Sequence, residues 1–252
     1  MSLTALQLLN KVRRGLRRDV ETSTSTTNSY NLLLLQFLNS AKEELEDTWD
    51  WHALRQTVTL TVSAGTSDYA LTAAGPADVD VTPRSRLLYE KPQIGGYTDE
   101  FQLETSTRMY GSLPQVFDVT DSTEYRLTEL SPEQIERLHF TDSDETAQST
   151  HFALYRDQDS LRLKLWPTPS GTRTWKLRFL IPQTDIPSTG MSSYQLNIDD
   201  RSVWTKALHV AAQERGEDVG RPLSALEREA QDALFLALDR EKLNSDLTGY
   251  PV

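Results

Sequence analysis

The side chains that could titrate near neutral pH or bind a metal are scattered. The histidines His52, His139, His151 and His209 each lack a second ligand three or four residues away, so none forms a metal pair or a base with its partner. There is no cysteine, which removes thiol nucleophiles, zinc-thiolate sites and disulfides together. Serine and threonine remain as nucleophiles, but no Gly-x-Ser-x-Gly elbow presents one. Gly95-Gly96 lacks the following Lys-Ser or Lys-Thr of a phosphate loop. Asp142-Ser143-Asp144-Glu145 has the acids of a calcium loop without its glycine or distal glutamate. Trp166 and Trp175 offer either a sugar platform or a core pair, and opposed acids of a glycosidase could exist among 37 carboxylates without spacing revealing them. The expectation is a protein with no catalytic residue, no metal and no cofactor.

The net charge of −11 argues against a protein that grips nucleic acid by neutralising phosphates. The longest apolar run, Leu32-Leu33-Leu34-Leu35, falls far short of the ~20 residues needed to cross a membrane, and Met1 to Ala5 has no signal-peptide character. A soluble, unexported protein without membrane partners is expected, in a compartment that is reducing or indifferent to redox state.

Helical periodicity dominates both ends of the chain. Leu6, Leu9, Val12 and Leu16 share one face of a first helix, whose last turns carry Lys11, Arg13, Arg14, Arg17 and Arg18, favourably placed at the negative end of the helix dipole. The polar stretch from Glu21 to Asn28 is a loop. A second helix runs from Tyr30 to Asp50 with the stripe Leu34, Leu38, Ala41, Leu45 and Trp49, and with Lys42, Glu43, Glu46 and Asp47 on its solvated face. Asp199 and Asp200 cap a helix carrying Val203, Trp204, Ala207, Leu208 and Ala211, which ends at Gly216 or Gly220. Pro222 opens a last helix with the stripe Leu223, Leu226, Ala230, Ala233, Leu234 and Leu238.

Between these ends the period changes to two. Val58, Leu60 and Val62 alternate with Thr57, Thr59 and Thr61 in a half-buried strand, and a turn at Gly65 leads to Tyr69-Ala70-Leu71, read as the return of a hairpin. Further strands are expected at Arg86 to Tyr89, Phe101 to Glu104, Gln115 to Val119, Glu124 to Thr128 and His151 to Arg156, and a short helix begins at Ser131-Pro132. The sharpest hairpin pattern joins Ser160 to Trp166 with Thr174 to Leu180. The resulting α+β architecture is a four-helix bundle of residues 1–53 and 197–243, an inserted antiparallel β lobe of 54–196 and a tail of 244–252.

The run from an acidic helix end into Trp49-Asp50-Trp51, then Thr57-Val58-Thr59-Leu60-Thr61-Val62, Gly65 and Tyr69-Ala70-Leu71, resembles the head-to-tail adaptors of short-tailed bacteriophages, the tail tubular protein A family. Leu165-Trp166-Pro167, Phe179-Leu180-Ile181-Pro182 and two closing helices are similar to the rest of that family. The resemblance implies a structural virion protein, assembled in the host cytoplasm, that forms a dodecameric ring between the portal protein and the tail nozzle, with DNA present only in transit. It implies portal contacts at Leu243, Leu247, Tyr250, Pro251 and Val252. The basic cluster Arg13, Arg14, Arg17 and Arg18 is then a contact with a neighbouring subunit or with passing DNA. The long middle, Pro92 to Thr150, departs from compact members and is either a fibre or nozzle docking surface or mere decoration. Another tail-completion protein and a glycan-binding tail component are the alternatives.

Overall fold

The computed structural model describes residues 2–73, 75–90, 113–120, 125–141, 145–157, 160–216 and 220–247. Five helices lie among them: α1 (Ala5–Gly15), α2 (Ser29–Thr48), α3 (Pro132–Thr141), α4 (Asp200–Arg215) and α5 (Leu223–Leu247). The chain divides into two compact units, residues 1–54 with 182–252, and residues 55–181.

In the first unit each helix start is satisfied locally. Thr4 and Gln7 close a reciprocal capping box on α1, Asn28 accepts from the Tyr30 N–H, and Asp199 accepts from the Ser202 N–H at 2.9 Å. Gly216 ends α4 in the left-handed region, φ 59°, as the sequence pattern predicts. Helix α4 is the hub, packing against α1, α2 and α5. It runs parallel to α1: the Leu3 N–H donates to Asp200 Oδ2 at 2.6 Å, Lys11 lies over Trp204, and Gly15 abuts Leu208. Helix α5 returns antiparallel, with Arg240 3.7 Å from Asp199.

The buried stripe of α5 is narrow, Leu226, Ala230, Ala233 and Ala237, and it packs extensively on α4 alone. The mixed α+β class therefore holds, with α1, α2 and α5 all packed on α4. Leu223, expected in the stripe, is exposed, and α5 continues to Leu247, past the Leu243 boundary read from the sequence.

The second unit holds two main sheets. One follows the order β1 (Arg55–Val62), β13 (Arg173–Leu180), β6 (Val116–Asp118) and β7 (Tyr125–Arg126), with β3 (Arg86–Leu87) also on β13. The other follows β2 (Asp68–Ala70), β11 (Ser160–Trp166), β10 (His151–Asp157) and β8 (Thr128–Glu129). Two small ladders pair β4 (Tyr89–Glu90) with β5 (Leu113–Pro114) and β9 (Thr146–Ala147) with β12 (Thr168–Pro169). One core joins the two main sheets, with Val58, Leu60, Val62, Trp175, Leu177 and Phe179 from the first and Phe152, Leu161, Leu163 and Leu165 from the second.

Both hairpins expected from the sequence are overturned. β1 pairs with β13, whereas β2 pairs with β11, so the chain crosses between sheets at Gly65. Likewise β11 pairs with β10, and β13 pairs with β1, β3 and β6. The alternation in Leu161-Leu163-Leu165 and Trp175-Leu177-Phe179 correctly gives the inward faces, but those faces meet across the core instead of lying side by side in one sheet. The strand expected at Phe101 to Glu104 lies outside the described residues.

Candidate assembly interface

The basic end of α1 is built from side chains that are also used within the chain. Arg17 stands in the left-handed region, φ 57°, just past the helix, and its guanidinium lies against the backbone of Gly220, itself at φ 67°. Arg13 donates from Nε to the Asp19 carbonyl at 2.5 Å and from Nη1 to Asn31 Oδ1. Arg18 stacks 5.4 Å from the Tyr30 ring centroid. Asn10 and Asn31 hold Glu21, whose carboxyl is kept below the usual glutamate range first by the Ser23 N–H and then by Asn31. The segment after α1 is thus laid along the start of α2, and Arg14, Arg17 and Arg18 remain on the surface.

A second cluster was missed by periodicity. Lys42 and Glu46, expected on the solvated face of α2, are buried. Lys42 Nζ donates to the carbonyls of Gln183 and Thr184 at 2.6 and 2.9 Å and approaches Asp185 Oδ1 at 3.3 Å. Glu46 Oε1 accepts from the Gln183 N–H at 3.1 Å, and Asn39 accepts from the Ile186 N–H at 2.8 Å. The Tyr194 hydroxyl donates to the Thr184 carbonyl. Burial, reinforced by the nearby Glu46 charge, pushes its pKa to about 12. Asn39, Lys42 and Glu46 lie three and four residues apart, beside the apolar stripe, and together supply the bonds that an extended segment would otherwise take from a neighbouring strand. That spacing was the available signal.

The outward side of α5 is apolar at three points: Phe235 and Leu243 are each 64% exposed and Leu236 is 47% exposed. Of the expected portal contacts, Leu243 is therefore on the surface, Leu247 is the last residue of α5, and Tyr250, Pro251 and Val252 lie outside the described residues.

In the second unit, Trp175 is completely buried and Trp166 is half-buried with its ring 5.6 Å from that of His151, so the pair forms no exposed sugar platform. His139 bonds the Leu165 carbonyl at 2.9 Å, and His151 meets the Thr150 hydroxyl at 2.7 Å, both as packing groups. Ser131 and Gln134 form a capping box on α3; Phe140 near the end of that helix is almost fully exposed, and a groove is lined by Leu130, Arg137 and Leu138. Among the described residues no three His, Asp or Glu side chains gather into a metal site, and no helix is long and apolar enough to cross a membrane.

Apolar side chains stand exposed on α5 at Phe235, Leu236 and Leu243 and on α3 at Phe140. The model of the SU10 adaptor protein family matches residues 3–249, and the chain belongs to that family. It is a bacteriophage adaptor, a structural connector of the virion that meets other head or tail components. No curated protein matches the chain.

Proposed function

We propose that the protein forms a ring, twelve copies in the full assembly, that joins the portal to the tail nozzle and lines part of the DNA channel without catalysing any reaction. The observation that carries this reading is the family match across residues 3–249. The charge of −11 supports it, since a wall of like sign lets DNA pass without neutralising its phosphates. The portal contact falls at the far end of α5, at Leu243 and Leu247, and continues through Tyr250, Pro251 and Val252; the exposure of Leu243 supports that placement. Arg13, Arg14, Arg17 and Arg18 face a neighbouring subunit. The middle of the chain, with Phe140, faces the nozzle or a fibre.

Native mass spectrometry of the purified protein mixed with its portal ring tests the reading. Twelve copies per portal are expected, with binding lost on truncation at Asn244. A protein that forms rings but ignores the portal would instead be a completion protein at another tail interface.

A further inference from the structure

Helix α3 is held to the rest of its unit by few contacts. Glu136 reaches Lys164, whose neighbours Leu163 and Leu165 point into the core, so the helix lies on the outer face of the sheet, across β10 and β11. Its one buried side chain is Ile135. Helix α1, one residue longer, buries Ala5, Leu8, Leu9 and Val12. Among the described residues the polar attachments of α3 to the sheet are the bond of His139 to the Leu165 carbonyl at 2.9 Å and the Lys164–Glu136 ion pair at 3.2 Å, whose carboxylate is 59% exposed. An ion pair that open to water contributes little, and a helix this short does not hold its shape in water alone. Beneath the helix the sheet is apolar. Ala153 shares the outer face with Lys164, its cross-strand partner, yet it is completely buried. On the same face Trp166 is half-buried, and its indole N–H is enclosed without an acceptor among the described residues. The side of α3 away from the sheet carries Phe140, 90% exposed, so the helix exposes a larger apolar side chain than it buries.

We propose that α3 is a latch that opens by itself, leaving the sheet while the two-sheet core stays folded, and that the docked helix withholds an apolar surface made of Ile135, Ala153 and Trp166. A segment with a single buried side chain undocks in a local step that costs far less than global unfolding. The pivot is at Leu130, whose N–H donates to the Phe152 carbonyl at 2.8 Å and keeps the chain tied to β10 just before the helix. The capping box of Ser131 and Gln134 lies on the moving side of that pivot and travels with the helix. Opening carries Ile135 and Phe140 away on one segment and uncovers Ala153 and Trp166 on the sheet. The Trp166 N–H then meets solvent as its acceptor, which offsets part of the newly exposed apolar area. The latch is a property of the single chain and does not depend on the ring reading.

The absence of native cysteine makes the test direct, because an introduced thiol reports on its own position alone. The full chain carrying Ala153→Cys, under α3, and the full chain carrying Val58→Cys, completely buried between the sheets, are each treated with excess maleimide over a range of low urea concentrations. The thiol at position 153 should react at least about 100-fold faster than the one at 58, at a rate that hardly changes with urea, as a local opening requires. Adding Ile135→Ala should quicken labelling at 153 by about 10- to 100-fold and leave labelling at 58 unchanged. Adding Phe140→Ser, on the outward side, should change neither. Equal rates at the two positions, rising together with urea, would overturn the proposal, because α3 would then leave the sheet only when the whole unit unfolds. An equal acceleration at 58 on Ile135→Ala would overturn it for the same reason. Hydrogen exchange of the unsubstituted chain is the second measurement, free of any effect of the thiols on folding. The amides of Leu138 to Thr141 should exchange well ahead of those of β10 and β11, and equal protection would overturn the latch.

Discussion

A lysine ammonium sealed from water is tolerated only when acceptors replace its hydration, and Lys42 has two carbonyls and a carboxylate within 3.3 Å. Lys42→Met should therefore cost about 3 kcal/mol in equilibrium denaturation, because the Gln183 and Thr184 carbonyls lose their donor while the methionine fits the space. A loss below ~1 kcal/mol would show that water replaces the ammonium. Asp118, in the second unit, is buried too, and burial works to raise its pKa. Bonds from Thr120 and the Arg173 guanidinium at 2.8 Å outweigh that effect and hold the carboxyl below its ordinary value of 3.8. A depressed folded-state pKa adds stability that is full above 3.8 and is lost as pH falls through the lowered value. Thermal midpoints of the wild type should drop over that acid window, and Asp118→Asn should flatten the drop while lowering the midpoint at neutral pH. Neither residue stands out in the sequence, where a lysine in an acidic helix face reads as solvated. Only the extended segment at Gln183–Ile186, more than 140 positions away, makes the site an interior.

At the scale of elements, the helices were legible because caps and 3.6-residue periodicity are local. Asn28, Asp199 and Gly216 mark boundaries within a residue or two of the observed ends. Strand pairing was not legible, since a period of two states which side chains point inward and says nothing about the neighbouring strand. For that reason the alternation alone puts Leu161 and Trp175 in one hairpin although they belong to opposite sheets. The junction of α1 with the α4–α5 turn was equally hidden. A methyl group on Gly220 would sit 1.6 Å from Arg17 Nη2 and would also hold an L-residue at φ 67°. Gly220→Ala should destabilise the protein by about 1–2 kcal/mol, the usual cost of the left-handed region, with an added steric share. Combining it with Arg17→Ala should cost less than the sum of the two, because the steric share disappears with the guanidinium. Strict additivity in that cycle would mean that Arg17 swings clear without penalty.

At the scale of the whole molecule, the charge of −11 governs how the protein meets a DNA duplex in solution. The protein should show no retention of double-stranded DNA at ~150 mM salt, and none should appear on lowering the salt several-fold, the opposite of a phosphate-binding protein. Retention that strengthens at low salt would assign the basic end of α1 to DNA rather than to a neighbouring subunit.

The second unit also has a property of its own at its ends. Arg55, where β1 begins, and Leu180, where β13 finishes, are direct cross-strand partners, so their Cα atoms are about 5 Å apart. A unit whose two ends are neighbours is a cassette. It can be lifted out and replaced by a turn of a few residues, or exchanged for another unit with adjacent termini, without stretching the chain that carries α2 before it and α4 after it. An exchange of the whole unit therefore leaves the helices α1, α2, α4 and α5 with their own sequence and their own connections.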